Sequence, residues 1–240
     1  MKSQSEKTLI ISDIHVPYQD NRALSVALDF AKDEGVSTII INGDFMDCAM
    51  ISKFDKLPST PSFVDEVKVA KNLLSKIRNR FPQAKIIYRL GNHEERLELY
   101  LMRQAEEVAR LGVVTIASIL QADKFGIHVV ERRQQRIMLG KLAVLHGHEV
   151  SSAASINIAN SVLRKVMHNV VVGHWHRRQN ETLKTYKGDY IGCWVVGCLC
   201  DLNPHYMPVN QWQHGFAIVS VRKSGNFQVY NYVIVEGEVL

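Results

Sequence analysis

Five short segments of this chain carry side chains that could bind metal ions. They read Asp13-Ile14-His15, Gly43-Asp44 continuing to Asp47, Gly91-Asn92-His93-Glu94, His146-Gly147 and Gly173-His174-Trp175-His176. Together they offer carboxylate, imidazole and amide side chains of coordinating type, with one histidine to spare. Carboxylates, imidazoles and one amide suit borderline divalent metals such as Mn, Fe or Zn, and a set with no thiolate disfavours a structural zinc site. So many ligands, far apart in sequence, predict two metals held close together, which serves in-line attack on phosphorus.

An apolar run of strand length stands directly before each of these segments. The runs cover residues 8–12, 38–42, 85–90, 142–145 and 170–172. In α/β sheets, ligand-binding residues collect beyond the carboxyl ends of the strands, where the connecting loops converge. Glycine neighbours the candidate ligand in four of the five segments, and it lets the backbone turn sharply and approach a metal closely. We therefore expect five strands to deliver these side chains to one place.

The rest of the chain is expected to alternate strands and helices up to about residue 175 and then to form strands. Helices are predicted, mainly from apolar residues at helical spacing, over residues 21–34, 61–80, 94–111 and 151–167. Strands are predicted over residues 182–186, 190–196, 216–221 and 227–235. The sequence contains no internal repeat and no linker, so residues 1–240 are predicted to form one domain.

Composition restricts the class of protein without identifying it. Hydrophobic residues make up 46% and charged residues 22%, which is ordinary for a globular protein. The polar first residues lack the apolar core of a signal peptide, and no apolar stretch approaches the ~20 residues of a membrane span. We therefore expect a soluble, cytoplasmic protein with no membrane partner. The net charge of +5 has the right sign for a phosphate-bearing substrate but is too small to prove nucleic-acid binding.

The four cysteines do not form a paired metal-binding pattern. Cys198 and Cys200 are one residue too close for a usual zinc knuckle, and the partners that such a knuckle needs are missing from the sequence. Cys48 and Cys193 are isolated. Buried, reduced thiols are the expectation for all four.

With these motifs, the chain resembles the calcineurin-like metallophosphoesterase superfamily over about residues 8–180. The resemblance implies an α/β fold of four layers, in which a two-sheet β-sandwich is flanked by helices and the metals lie at the sheet edges. It also implies that one metal is bound by Asp13, His15 and His176. The second metal would be bound by Asn92, His146 and His174, with Asp44 bridging the two. His93 would be the unligated catalytic histidine, oriented by Asp47.

The partner of His93 can also be considered from the residues themselves. A histidine beside a metal centre but not bound to it is suited to proton transfer. A carboxylate on its second nitrogen would hold its tautomer and favour the imidazolium. Asp47 is the favoured carboxylate because its spacing from Asp44 matches the family motif, and Glu94 is the alternative. His148, two residues beyond His146, is expected to play a supporting or structural role.

Five residues are weaker candidates for contact with the substrate. Arg177 and Arg178 follow the last predicted metal ligand, where a guanidinium could pair with phosphate oxygens, although two exposed charges are an equal alternative. Arg96, shortly after His93, has the same ambiguity. Tyr206 and Trp212 lie in a long aromatic loop and could stack on a base. Packing of Trp212 against the core is slightly favoured over stacking.

The function predicted from these residues is metal-dependent hydrolysis of a phosphate ester. Two divalent ions would activate the attacking water, and His93 would protonate the leaving group. Manganese is the first expectation, with iron, zinc, nickel or magnesium as alternatives. Cys48-Ala49 stands where protein phosphatases of the superfamily carry Arg-Gly, which makes that subgroup a poor match.

The sequence is compatible with three functions, two of them catalytic and differing in substrate. A phosphodiesterase or nuclease acting on nucleotides or nucleic acid is preferred because of the basic balance and the aromatic loop. A phosphomonoesterase acting on a small metabolite or a terminal phosphate is the alternative. A non-catalytic, metal-binding scaffold is a third reading, and the presence of His93 and Asp47 argues against it because a scaffold needs no proton donor.

Overall fold

A computed structural model describes residues 5–131, 135–150 and 156–240 of the chain. In these residues the strands are β1 (Glu6–Ile11), β2 (Thr38–Asn42), β3 (Lys85–Arg89), β4 (Ile127–Val130), β5 (Ile137–Leu139), β6 (Leu142–Val144), β7 (Val170–Val172), β8 (Gln179–Lys184), β9 (Tyr190–Val195), β10 (His214–Val221), β11 (Phe227–Val235) and β12 (Glu238–Val239). The helices are α1 (Asn21–Asp33), α2 (Phe63–Arg80), α3 (Glu95–Gln104), α4 (Glu106–Arg110), α5 (Ile116–Leu120) and α6 (Ile158–Val166), with a 3₁₀ turn at Ala122–Phe125.

The strands form two sheets. One sheet has seven strands in the order β12-β11-β10-β1-β2-β3-β4, and the other has five in the order β5-β6-β7-β9-β8. Strands β1 to β4 run parallel to one another, as do β6, β7 and β9 in the second sheet, and the remaining pairings are antiparallel. Parallel strands point their carboxyl ends to the same edge of a sheet. The predicted α/β architecture of two sheets flanked by helices is therefore confirmed.

Alternate residues of the central strands explain the layering. On β1, Leu9 and Ile11 belong to the apolar cluster shared with helices α1 and α2, whereas Ile10 belongs to the cluster between the two sheets. A third apolar cluster joins α6 to the outer face of the five-stranded sheet. A strand with both faces covered must be apolar at every position, which is why the predicted runs were continuous.

The main predicted helices form close to their expected limits. Helix α1 begins after Asp20, whose carboxylate accepts a hydrogen bond from the Ala23 N–H at 2.8 Å. Helix α6 begins at Ile158, capped by the Asn157 side chain, and residues 151–155 of the predicted helix lie outside the described residues. No helix of the described ranges is long and apolar enough to cross a membrane.

Several predicted elements were wrong in detail. The helix expected over residues 94–111 is two helices, because the backbone of Ala105 leaves the helical conformation (φ −156°, ψ 60°), and nothing in the local sequence explains this break. Strand β8 begins at Gln179 rather than at residue 182. Four short elements were missed, namely β4, β5, β12 and α5. Elements of two to five residues carry too little periodicity to be recognised, and they are stabilised by their tertiary partners instead.

Candidate metal centre

The carboxyl ends of five strands meet between the two sheets. Asp44 follows β2, and its backbone carbonyl accepts a hydrogen bond from the His15 N–H at 2.9 Å. Across the sheets, the His174 N–H donates to Asp13 Oδ2 at 2.8 Å. The Asn42 amide at the end of β2 donates to the Leu145 carbonyl at 2.8 Å. These bonds hold segments that are far apart in the sequence against one another.

The predicted metal ligands form a compact, buried cluster. His176 Nε2 lies 3.1 Å from His15 Nε2 and 3.2 Å from Asp13 Oδ1. Asp44 Oδ2 lies 3.2 Å from His146 Nε2 and 4.0 Å from His15 Nε2. The structure thus brings together the carboxylates and imidazoles that the sequence predicted as ligands. Their role as ligands remains a prediction.

Two of these histidines present a defined nitrogen to the centre. The Nδ1 atom of His146 donates to the Asn42 carbonyl at 2.7 Å. The Nδ1 atom of His15 lies 3.0 Å from the Asp47 carboxylate. Because a hydrogen bond at one ring nitrogen sets the tautomer, Nε2 is in both residues the nitrogen available to a metal.

Other atoms of the cluster make no hydrogen bond among the described residues. Asn92 Oδ1 and His174 Nδ1 are buried without one. Asp13 Oδ1 and His146 Nε2 each approach a partner to 3.2 Å but lack hydrogen-bond geometry. Leaving a buried polar group unpaired costs about 1–3 kcal/mol, and shared cations would satisfy all four atoms. The residues present therefore fit divalent metals that accept oxygen and nitrogen donors.

The backbone of the cluster is strained. Five of the predicted ligands have positive φ, namely Asp13 (54°), His15 (49°), Asp44 (48°), His174 (71°) and His176 (57°). Such values are uncommon outside glycine, cost on the order of 1–3 kcal/mol each and concentrate at functional sites. This strain is a structural sign of function that the sequence did not reveal.

Two glycines allow the segments to approach closely, as the sequence predicted. A Cβ atom at Gly91 would overlap with the carboxylate of Asp44. One at Gly173 would overlap with the Ser12 hydroxyl and with Asp13. A side chain at either position would push apart the strand ends that form the site.

Electrostatics inside the cluster reflect the alternation of carboxylates and imidazoles. Burial lowers the pKa of His146, but the Asp44 and Asp13 carboxylates outweigh burial and raise it to about 10. Burial raises the pKa of Asp44, but the His146 and His93 imidazoles hold it well below its usual value. Burial, and then His146, lower the pKa of His174 to about 4. The Asp44 and Asp13 carboxylates thus stabilise positive charge on the His146 imidazole.

His93 contacts the carboxylate that the sequence favoured. Its Nδ1 atom lies 3.2 Å from the Asp47 carboxylate and 2.8 Å from the Asp47 carbonyl. Its Nε2 atom lies 3.8 Å from Asp44 Oδ2. Burial lowers the pKa of His93, but Asp44 and Asp47 outweigh burial and raise it. Asp47 also contacts His15, so one carboxylate orients two histidines.

Glu94, the alternative partner of His93, is engaged elsewhere. Its buried carboxylate accepts hydrogen bonds from the backbone of Gly91 at 2.7 Å and Met46 at 2.8 Å, and from the Tyr88 hydroxyl at 2.6 Å. It also accepts one from the Asp44 N–H at 3.1 Å. Glu94 therefore fixes the loops after β2 and β3 relative to each other.

The five weaker candidates have different surroundings. Arg96 lies at the centre, because Nη2 is 2.9 Å from His93 Nε2 and Nη1 donates to the Asp47 carbonyl at 2.8 Å. Arg177 donates to Gln211 Oε1 at 2.5 Å. Arg178 donates through Nε to the carbonyl of residue 231 in β11 at 2.7 Å, which directs that guanidinium towards the seven-stranded sheet.

The two aromatic candidates differ from each other. The Trp212 ring packs against His176 with a centroid distance of 4.1 Å, so it supports a predicted ligand. The Tyr206 ring lies 6.3 Å from Trp212 and is 71% exposed. His148, predicted to be supporting, has Nε2 at 3.1 Å from Glu95. Only Tyr206 of the aromatic pair leaves most of its ring free for a substrate.

The site also contains a buried ion pair that was not predicted from the sequence. Arg89 on β3 is 1% exposed, and its Nε donates to Glu149 Oε1 at 3.0 Å. Glu149 Oε2 accepts from the Gly147 N–H at 2.7 Å, which holds the loop that carries His146. Burial raises the pKa of Glu149, but Arg89 and this N–H lower it to about 2. An arginine inside an apolar strand run was the available signal, since a buried charge needs a partner.

Comparisons with known proteins concern the family and the fold of the chain. The family model for calcineurin-like phosphoesterase matches residues 6–192 of the chain. The Gene 54 protein of Mycobacterium phage L5 is 24% identical over 233 residues, which cover 90% of this chain and 89% of the phage protein. Vps29 from Cryptosporidium parvum has a TM-score of 0.52 at 12% identity, covering 99% of this chain and 95% of its own. A Vps29 mutant from Entamoeba histolytica has a TM-score of 0.50 at 16% identity, covering 98% and 96%. At such identities, the two Vps29 structures show a shared fold alone.

Proposed function

The chain belongs to the calcineurin-like phosphoesterase family, and on that premise we propose that it is a phosphodiesterase or nuclease that uses two divalent metal ions. Membership of the family supports metal-dependent hydrolysis of phosphoesters. The observation that carries the proposal is the position of the Asp44 carboxylate, whose Oδ2 atom lies 3.2 Å from His146 Nε2 on one side and 4.0 Å from His15 Nε2 on the other. A carboxylate shared by two ligand groups is what two adjacent metals need.

The proposed ligand sets follow the two halves of the cluster. Asp13, His15 and His176 would hold one metal. Asn92, His146 and His174 would hold the other, with Asp44 between them. Manganese is the first choice because the donors are oxygen and nitrogen only. When bound, the pair of ions would activate water as the nucleophile and neutralise charge that develops on the phosphoryl oxygens.

His93 is proposed as the proton donor to the leaving oxygen. Asp47 holds its Nδ1 side, which leaves Nε2 directed towards the centre of the cluster. The carboxylates of Asp44 and Asp47 favour its protonated form. Transfer of the Nε2 proton to the departing alkoxide would complete the hydrolysis.

We propose that the Arg96 guanidinium exchanges its hydrogen bond to His93 for one to the substrate phosphate. A guanidinium only donates hydrogen bonds, so Arg96 can bond to His93 Nε2 only while that nitrogen is unprotonated. Protonation of His93 therefore releases the guanidinium. A phosphate oxygen nearby offers a charge-assisted replacement.

The preference for a nucleotide or nucleic-acid diester rests on the surface beside the centre. Tyr206 is exposed next to Trp212, which in turn packs on the predicted ligand His176. An exposed aromatic ring beside a phosphoesterase centre can stack on a base, and the net charge of +5 favours an anionic substrate.

The central experiment compares diester with monoester hydrolysis. Metal-stripped protein is assayed on bis-p-nitrophenyl phosphate and p-nitrophenyl phosphate with Mn²⁺, Ni²⁺, Zn²⁺ or Mg²⁺ added. Faster turnover of the diester supports the proposal. Turnover of the monoester alone supports the phosphomonoesterase alternative, and no turnover with any metal supports the scaffold alternative.

A second experiment addresses the aromatic surface. Tyr206→Ala is expected to weaken binding of a short single-stranded oligonucleotide by about 1–3 kcal/mol while leaving hydrolysis of the chromogenic diester unchanged. Tyr186→Ala is the matched control because Tyr186 is fully exposed in the turn between β8 and β9. Equal affinity of the two variants would refute base stacking at Tyr206.

A further inference from the structure

A cysteine lies against the predicted metal centre, although the predicted ligand set contains no thiol. The Cys200 Sγ atom and one ring nitrogen each from His15 and His176 lie within 4.8 Å of one another. Cys200 is only 3% exposed. Metal–sulfur and metal–nitrogen bonds of about 2.3 and 2.1 Å keep two ligands of one ion within about 4.4 Å of each other, a similar range. The thiol is therefore close enough to share a metal with the two histidines.

The fold delivers this cysteine in the same way as the predicted ligands. Strand β9 runs parallel to β7, so its carboxyl end points to the same edge of the five-stranded sheet. Five residues further on, the Cys200 carbonyl accepts a hydrogen bond from His214 Nε2 at 2.8 Å. The preceding Leu199 N–H donates to the Asp13 carbonyl at 3.0 Å. The backbone on both sides of the thiol is thus tied to the site.

An independent observation places a cation beside this thiol. Asp13 Oδ1 is fully buried and makes no hydrogen bond among the described residues. It lies 3.2 Å from His176 Nε2 and 4.0 Å from His15 Nε2, the two histidines that Cys200 also contacts. A buried carboxylate oxygen without a hydrogen bond, close to two imidazoles, has the surroundings of a metal ligand.

We propose that Cys200 is a thiolate ligand of the metal held by Asp13, His15 and His176. The proposal rests on the metal centre of the proposed function and adds a donor to it. When the metal–sulfur bond forms, the thiol proton is released to solvent, and neither sulfur nor metal changes oxidation state.

A sulfur donor would make the two metal positions different. The position next to Cys200 would favour softer ions such as Zn²⁺ or Fe²⁺, because thiolate binds Mg²⁺ and Mn²⁺ poorly. The other position, with Asn92, His146 and His174, keeps oxygen and nitrogen donors and remains suited to Mn²⁺. The thiolate would therefore select a mixed pair of metals.

Cobalt substitution tests this directly. Metal-stripped full-length protein is loaded with Co²⁺, whose visible bands report occupancy and whose near-ultraviolet charge-transfer band reports a thiolate ligand. The wild-type protein is expected to have both features. Cys200→Ser should keep the visible bands and lose the charge-transfer band. Cys193→Ser is the matched control, because it removes a buried thiol that packs in the apolar cluster with α6, and should keep both.

The outcomes separate this proposal from the proposed function. A charge-transfer band that persists in Cys200→Ser, or that disappears in Cys193→Ser instead, overturns the assignment to Cys200. Visible bands without charge transfer in the wild type also overturn it, while leaving the metal centre intact. No visible bands at all would instead contradict the metal centre itself. If Cys200→Ser does not fold, X-ray absorption of the zinc-loaded wild type decides, since a sulfur neighbour at about 2.3 Å is required.

Discussion

The two sheets bring different chemistry to the same site. The seven-stranded sheet supplies every carboxylate of the cluster, Asp13 after β1 and Asp44 and Asp47 after β2. The five-stranded sheet supplies imidazoles after β6 and β7 and, after β9, the Cys200 thiol. The shortest imidazole contacts of Asp13 and Asp44, to His176 and His146 at 3.2 Å each, cross from one sheet to the other. Neither half holds a complete ligand set, so the metal centre depends on how the sheets close on each other.

The two halves also differ in the pKa of a buried glutamate, Glu149 on one side and Glu66 on the other. On the five-stranded side, Arg89 lowers the pKa of Glu149 to about 2 against the effect of burial. On the seven-stranded side, burial together with Asp47 and Glu94 raises the pKa of Glu66 to about 8, although the Cys48 N–H opposes this. A buried glutamate with a cationic partner thus keeps its charge, whereas one beside other carboxylates favours its neutral form.

Removing the shared carboxylate should have the largest effect. Asp44→Asn is expected to lose measurable phosphoesterase activity and both metals, because it removes the charge common to the two ligand groups. Metal content is read by elemental analysis of the purified protein. Asp33→Asn, at an exposed helix end, is the control and should retain both. Full occupancy with normal turnover in Asp44→Asn would mean that the bridging assignment is wrong.

Removing an imidazole of the five-stranded half should affect one metal only. His174→Ala is expected to lower metal content from two ions to about one per chain, because Asp13, His15 and His176 are retained. Metal titration followed by calorimetry would resolve the two events. A variant that loses both ions, as Asp44→Asn should, would show that the two ligand sets do not bind their metals separately.

Removing the proposed acid of the seven-stranded half should spare the metals. His93→Ala is expected to keep both ions and to slow turnover by roughly 10²–10⁴-fold, the usual contribution of a general acid. The loss should shrink for substrates with good leaving groups such as nitrophenolate, because these need little protonation. Equal losses on good and poor leaving groups would exclude the proton-donor role.

The smallest expected effect concerns ionisation of the buried Glu66 carboxyl group. Its pKa in the folded state, about 8, exceeds the ordinary 4.5, so its contribution to stability is complete below pH 4.5 and is lost as pH rises to 8. Glu66→Gln keeps an oxygen to accept the Cys48 N–H, a bond of 2.7 Å in the structure, and removes the charge. It should raise the free energy of unfolding at pH 8 by on the order of 1–3 kcal/mol, and leave it unchanged near pH 4.5. Urea unfolding at both values measures this. A variant equally destabilised at both would contradict the pKa argument.

Much of the site was predictable because its signals are local. An apolar run followed by glycine and a coordinating residue, as at Gly43-Asp44 and Gly173-His174, indicates within a few residues both the end of a strand and a potential metal ligand. Five such signals predicted a cluster of ligands at strand ends, whereas the two-sheet fold was implied by the resemblance to the family. The short strands β4 and β5 escaped prediction because pairing with β3 and β6, rather than their own pattern, stabilises them.

The sequence by itself thus determined the types of donor and the strand ends that carry them. Only the tertiary structure decided which donors meet, because these contacts cross the interface between the sheets. His15 and His176 are 161 residues apart, yet their nitrogens lie at 3.1 Å. The same closure buries Cys200 against both of them, places Asp47 between His15 and His93, and leaves Asp13 Oδ1 without a hydrogen bond among the described residues. Spacing along a chain encodes local geometry, whereas the approach of distant strand ends is set by sheet packing and is visible only in the folded protein.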